Sequence, residues 1–305
     1  MPASGNRWAL APARRRYPLN KRSPVLKLAA GAARWLPVPV KRLIYKVKPL
    51  AKLLRGMLNE SVPQGQVKVT VAAGSLQGWE LFLDLKLEKD YWLGTYETDL
   101  QQAVEQFVKP GSIVYDLGAN IGYVSLLLSK AAGENGAVIA IEALPANFER
   151  LKQNTALNQP HARVTCLNAA VTDKAGLVEF LVHSSTSMGK ALGSAGRHEQ
   201  YGHVITVPGV MLDSLVFEQA YPAPDVIKMD IEGGEVLAIE GMQQVLAEHH
   251  PLMMIELHGE EAADAVYTAL AGAGYDMRLM KDSYPPVRSR AELDWKTYLL
   301  ALPPE

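Results

Sequence analysis

The chain has one cysteine, Cys166, in 305 residues, which excludes an internal disulfide framework and any multi-cysteine metal site. Cys166 falls inside an apolar strand pattern, where a thiol packs as a small inert hydrophobe. Acid is missing from the first 59 residues: no Asp or Glu precedes Glu60, while fourteen Lys and Arg lie there. The remainder carries seventeen basic against thirty-two acidic residues, so a formal net charge of −1 conceals a basic tail on an acidic body. No apolar run reaches the ~18 to 20 residues that cross a bilayer. Arg34 and several prolines also break any secretory h-region.

Within the tail, the Arg14-Arg15-Arg16 run and the prolines up to Pro24 read as disorder. From residue 25 to 58 the pattern turns helical. Val40, Leu43, Ile44, Val47, Leu50, Ala51, Leu54 and Met57 trace a stripe, with Lys41, Arg42, Lys46, Lys48, Lys52 and Arg55 around it and Pro49 interrupting. Such a helix lies on an anionic membrane surface in one reading and docks on the acidic body in the other. The expected organisation is a basic extension over 1–60 and one catalytic domain over 61–305. Its expected location is the cytoplasm, peripheral on the inner membrane face if the tail binds lipid.

What the chain does contain is a strand feeding a glycine-punctuated turn between Gly111 and Gly122. Ile113, Val114 and Tyr115 are β-prone with no polar alternation, as in a parallel strand buried on both faces. After Gly122, Val124, Leu127, Leu128 and Ala131 fall at helical spacing. The turn therefore sets backbone N–H groups at a helix start beside an open strand end, where doubly wound sheets bind ligands. A nicotinamide or flavin site wants Gly-x-Gly-x-x-Gly. Here Asp116 precedes Gly118, Asn120 and Gly122, which resembles the acid-x-Gly-x-Gly-x-Gly loop of S-adenosylmethionine-dependent methyltransferases, with Asn120 at the middle glycine. A carboxylate there suits a cationic amino-acid end and would repel a pyrophosphate. The plainer reading is an ordinary strand-to-helix turn whose glycines serve backbone geometry alone.

Around this unit, Val67–Ala72 and Trp79–Leu87 read as a β-hairpin. Thr98 followed by Gln101 reads as a capping box opening a helix with Leu100, Ala103, Val104, Phe107 and Val108 buried. Strands are expected at 137–142, 163–168, 225–230, 251–257, 275–280 and 297–301, with helices at 145–157, from about 236 to 246 and at 260–271. This alternation argues for one sheet wound on both faces. Residues 177–182 and 204–207 look like an inserted hairpin bracketing a mobile Ser/Gly-rich lid. His183, His198 and His203 lack metal-ligand spacing and are expected at the surface.

Three blocks resemble the FkbM family of methyltransferases: Gly94-Thr-Tyr-Glu97; Asp116 to Gly122 with Glu142 and Asn154 downstream; and Ile227-Lys-Met-Asp-Ile-Glu-Gly-Gly-Glu235 followed by Glu256-Leu-His258. A smaller block, Val210-Met-Leu-Asp-Ser-Leu215, adds to them. The sequence departs at Ala143, where the family has proline, and at Gly234, where a small alanine is usual. The resemblance implies a Rossmann-like, mostly parallel seven-stranded sheet of class I type, and S-adenosylmethionine as cofactor. It also implies a sugar or polyketide-type hydroxyl as acceptor.

Together with the turn, it assigns the cofactor's amino-acid half to Asp116, Gly118, Asn120 and Gly122 and its ribose to Glu142. The adenine is assigned to Asn168 and Ala169, and Tyr96, Glu97 and Asp230 are also expected to bind the cofactor. Asp230 and Glu232 are expected beside the transferred methyl, and His258, with an ordinary pKa near neutrality, as the general base. Glu235, in the first turn of a helix, stabilises the helix dipole without any chemistry. Asp230, Glu232, Glu256 and His258 could also hold a magnesium ion. The rival class is an inactive methyltransferase-like module tethered to membrane or nucleic acid by the tail.

Overall fold

In a computed structural model of the chain, the described residues are 24–35, 62, 65–159, 161–183, 189–192, 194 and 201–304. The Val40–Met57 stripe, His198 and most of the tail lie outside them. Among the described residues no helix is long and apolar enough to cross a membrane.

The core is a seven-stranded sheet. Its strands are β3 (Ile113–Leu117), β4 (Ala137–Ile141), β5 (Val164–Leu167), β10 (Val226–Met229), β11 (Leu252–Glu256), β12 (Asp276–Leu279) and β13 (Tyr298–Leu302), in spatial order β12-β13-β11-β10-β3-β4-β5. All pairings are parallel except those of β13 with β11 and β12. Val114, Tyr115 and Leu117 are fully buried, since β3 is covered on both faces; each such side chain contributes about 1.5 to 3 kcal/mol of burial. From β3 the chain passes to β4 on one side and returns later to β10 on the other. The strand order therefore reverses at the C-terminal ends of β3 and β10, where an open α/β sheet has its crevice.

Helix α1 (Pro24–Trp35) precedes the antiparallel hairpin β1 (Gln66–Thr70) and β2 (Glu80–Asp84). Then come α2 (Lys89–Leu93), α3 (Thr98–Phe107), α4 (Tyr123–Ala132) and α5 (Pro145–Leu157). The capping box does not form. Glu97, in the left-handed region, is the N-cap of α3, and Thr98 lies inside the helix. Gln101 turns instead to the preceding loop, donating to the Tyr96 carbonyl at 2.5 Å and accepting from the Ser75 N–H at 3.3 Å.

The expected hairpin is part of a second sheet, β6 (Ala170–Val171), β7 (Gly176–His183), β8 (Gly189–Ala191) and β9 (Tyr201–Val210), ordered β6-β9-β7-β8. Part of the expected lid is thus strand β8, and His203 is exposed. The helix expected after β10 is split into α6 (Glu235–Glu240) and α7 (Gln243–His249). At the break, Gly241 lies against residue 172 so closely that a Cβ would stand 2.2 Å from the Thr172 carbonyl oxygen. Helix α8 (Glu260–Gly272) completes the layer.

Candidate active site

The glycine turn is built for close approach. Gly118 has φ +79°, and a Cβ there would stand 1.9 Å from the Asp230 carbonyl oxygen, so no other residue fits. Asn120 has φ +49°, a conformation Asn tolerates better than other side chains, which accounts for its standing where a glycine is usual. Gly122, φ +91°, is the N-cap of α4. Asn154 on α5 clamps the turn: its amide donates to the Ile121 carbonyl at 2.7 Å and accepts from the Phe82 N–H at 2.7 Å.

Over this turn opens a cavity of about 840 Å³ including its mouth. Tyr96, Gly118, Asn120, Glu142, Ala169, Asp230 and Glu232 border it. Glu97, Asp116, Gly122, Asn168 and His258 stand outside that lining. Glu142, at the end of β4, accepts the Asn120 N–H at 2.8 Å and the Leu144 N–H at 2.9 Å on its two carboxylate oxygens. Burial pushes its carboxyl above the usual range, and these hydrogen bonds offset part of that shift. Asn168 spends its amide on the carbonyls of Glu142 and Ala143 at 2.8 and 3.0 Å, fixing the turn that carries Glu142. Ala143, Leu144 and Ala169 form an apolar end, and Phe180, Gly189 and Ala191 of the second sheet close over it.

Beneath the cavity Asp116 is fully buried. Its carboxylate accepts the Ser125 hydroxyl at 2.5 Å and lies 3.2 Å from Lys228 Nζ. Lys228 also donates to the Gly118 carbonyl at 3.2 Å and stands 3.9 Å from Asp230. This lysine, which borders the cavity, lies in a block that resembles the family but has no role in the reading of the sequence. Its signal is a cation inside the otherwise apolar run Val226–Met229: a buried Lys needs a paired acid. Asp230 is pushed up to about 7 by burial, with Lys228 pulling against it and Glu256 adding to it. Its side chain keeps 21 % exposure toward the cavity, so water there moderates the shift and a ligand that dries the cavity strengthens it.

His258, expected as the general base, stands among four carboxylates. Its Nδ1 lies 3.0 Å from buried Glu235, and its Nε2 lies 3.4, 3.8 and 3.9 Å from Glu256, Asp230 and Glu232. Burial opposes the charged form, but the hydrogen bonds and charges of these acids prevail and raise it to about 11. Glu235 accordingly does more than answer the helix dipole: it anchors His258 and accepts the Ile231 N–H at 3.4 Å.

Asp230, Glu256 and His258 bring one donor atom each within 4.8 Å of one another, but they fit magnesium poorly. That ion wants an oxygen octahedron, whereas here one donor is a protonated imidazole and Glu256 is held by Lys296 Nζ at 2.6 Å. Burial raises the Glu256 carboxyl, yet its bonds to His258 and Lys296 outweigh this and hold it near 2. The cluster is paired within the protein.

The opposite wall is aromatic. Tyr91, Tyr96 and Tyr123 border the cavity with ring centres 4.4 Å (91 to 96), 4.8 Å (91 to 123) and 5.8 Å (96 to 123) apart. Burial raises all three hydroxyls, keeping them protonated. Among the described residues the buried Tyr123 hydroxyl has no hydrogen-bond partner. Glu97, raised by burial, bonds Tyr96. Only Tyr96 and Glu97 of this group stood in a recognisable motif, because the wall assembles from three separate elements.

A family model described as a methyltransferase FkbM domain matches residues 116–277. Among curated relatives, the hexuronic acid methyltransferase AglP of Haloferax volcanii is 25% identical over 166 residues, covering 53% of this chain and 62% of that protein. The chain thus spans less than two thirds of that relative's length. The 31-O-demethyl-FK506 methyltransferase FkbM of Streptomyces tacrolimicus is 24% identical over 248 residues, covering 72% of this chain and 90% of that protein. Among solved structures, methyltransferase FkbM from Methylobacillus flagellatus is 18% identical with a TM-score of 0.42, covering 70% of this chain and 52% of that one.

Proposed function

The chain belongs to the FkbM methyltransferase domain family, and from that premise we propose that it is an S-adenosylmethionine-dependent methyltransferase acting on a hydroxyl oxygen of a small sugar or polyketide-type acceptor. The names of the hexuronic acid and 31-O-demethyl-FK506 methyltransferases support the acceptor class. The observation that carries the reading is one cavity bordered both by the bare backbone of Gly118 and by the carboxyl of Asp230.

The residues fit the cofactor. At Gly118 a ligand can lie against backbone without meeting a side chain. The Glu142 carboxylate accepts two backbone N–H groups and a hydrogen bond from the Asn147 side chain, which leaves one of its four lone-pair positions for a ribose hydroxyl. Leu144 and Ala169 offer an apolar slot for a flat base, and the unpartnered Tyr123 hydroxyl suits the polar end. When bound, S-adenosylmethionine supplies an electrophilic methyl group on a sulfonium.

Asp116, Gly122 and Asn168 act as positioning residues: the first holds Lys228 under the turn, the second starts α4, and the third fixes Glu142. Asp230, with a carboxyl at about 7, takes the proton of the acceptor hydroxyl as its oxygen attacks, and Glu232 orients that hydroxyl. His258, kept charged, steadies the ionised Asp230. Glu97 and Tyr96 close the same end. Holding the hydroxyl in line with the methyl then needs no covalent intermediate.

Transfer of labelled methyl from S-adenosylmethionine to saccharides bearing hexuronic acid, and to macrolide hydroxyls, tests the reading. Wild type is expected to label at least one class, and Asp230→Asn to slow it by about 10² to 10⁴ with cofactor affinity kept. Binding without transfer to either class would remove the acceptor assignment. Full turnover by Asp230→Asn would move the base elsewhere.

A further inference from the structure

Among the described side chains of helix α1, the two largest apolar ones face water. Ala29, Ala30 and Ala33 pack into the core, while Leu28 and Trp35 stand 74% and 80% exposed. Seven residues apart, these two share one face, and nothing lies within 4 Å of where a Cβ of Gly31, between them, would be. The Arg34 guanidinium sits 5.7 Å from the centre of the Trp35 ring. A single exposed leucine needs no explanation. A leucine and a tryptophan exposed together on one face of a short helix do. Leu87, 83% exposed, lies between Lys86 and Glu88 at the entry to α2, the helix on which α1 packs; Glu88 is tied to Arg150 at 2.7 Å.

From these observations we infer that the outer face of α1 docks on an anionic lipid surface. Tryptophan and leucine beside arginine are the side chains that enter the headgroup boundary. Charge selects the occupant and sets its orientation: fourteen basic and no acidic residues lie in 1–59, against fifteen excess acids in the rest. An anionic bilayer attracts the first and repels the second, so the molecule meets it α1 first. With only 12 residues, α1 lies on the surface rather than across it. Because α2 carries Tyr91 into the cavity wall, docking sets the cavity beside the lipid.

The test is sedimentation of the full chain with vesicles of phosphatidylcholine alone and of phosphatidylcholine mixed with phosphatidylglycerol. Binding is expected to the mixed vesicles only, weakening as salt is added. Leu28→Ser with Trp35→Ser should lower the partition coefficient about tenfold or more, the loss expected when two large apolar side chains no longer leave water. Its melting temperature should not change, since neither side chain is packed. Wild type left in the supernatant with mixed vesicles overturns the inference. So does a double variant that partitions like wild type, or a lipid-free dimer that the double variant dissociates, which would make a second copy the occupant.

Discussion

Lys228 and Asp116 face each other across paired strands β10 and β3, register partners whose ammonium and carboxylate lie 3.2 Å apart with almost no solvent contact. Opposite charges this deep are retained only as a pair: removing one partner strands the other, at about 3 to 5 kcal/mol. Lys228→Met should therefore lower unfolding free energy by that order in urea titrations. Lys228→Met with Asp116→Asn should recover much of it. A single variant as stable as wild type would show that Asp116 is neutralised by other means.

Gly118→Ala offers a graded comparison with Gly133→Ala. Both glycines have positive φ, but nothing lies within 4 Å of a Cβ at Gly133, while one at Gly118 meets the Asp230 carbonyl. Thermal melts should show Gly118→Ala losing clearly more than Gly133→Ala, whose loss is the about 1 to 3 kcal/mol of backbone strain alone, with cofactor affinity falling as well. Equal losses would mean that the turn can open without disturbing Asp230.

Two proton carriers at the site predict different pH behaviour. Asp230 acts as base only when ionised, so turnover should climb as pH rises through about 7. His258→Gln should move that limb to higher pH, because the imidazolium helps hold Asp230 ionised. If the limb vanished instead, His258 would be the base after all. For stability the sign is opposite: the folded pKa of His258, about 11, lies above its ordinary 6.5. Its contribution is full below 6.5 and fades as pH climbs toward 11, so the wild-type advantage over His258→Gln in melting temperature should shrink across that window.

The parts of this molecule legible in the sequence are those set by local rules. The strand, glycine turn and helix from Ile113 to Ala132 follow from a switch of period, and Asn120 could be placed because its side chain tolerates the turn's conformation. What escaped depends on distant partners. The helix break at Gly241 is imposed by Thr172, about 70 residues earlier in the chain. Gln101 left its expected cap for Tyr96 and Ser75. The sequence offers His258 as an imidazole of ordinary pKa, whereas four carboxylates from two chain segments, 230–235 and Glu256, surround it. Lys228 was visible as an oddity in an apolar strand, but its role required knowing that β3 lies beside it.

Calorimetric titration reads whether the cavity over Gly118 holds S-adenosylmethionine. Wild type should bind S-adenosylmethionine and give no heat with a nicotinamide dinucleotide. Glu142→Ala should weaken the first by about 1 to 3 kcal/mol, the worth of a charge-assisted hydrogen bond to a ligand hydroxyl, with the fold unchanged by circular dichroism. Absence of binding by wild type, or an affinity unchanged by Glu142→Ala, would contradict that occupancy.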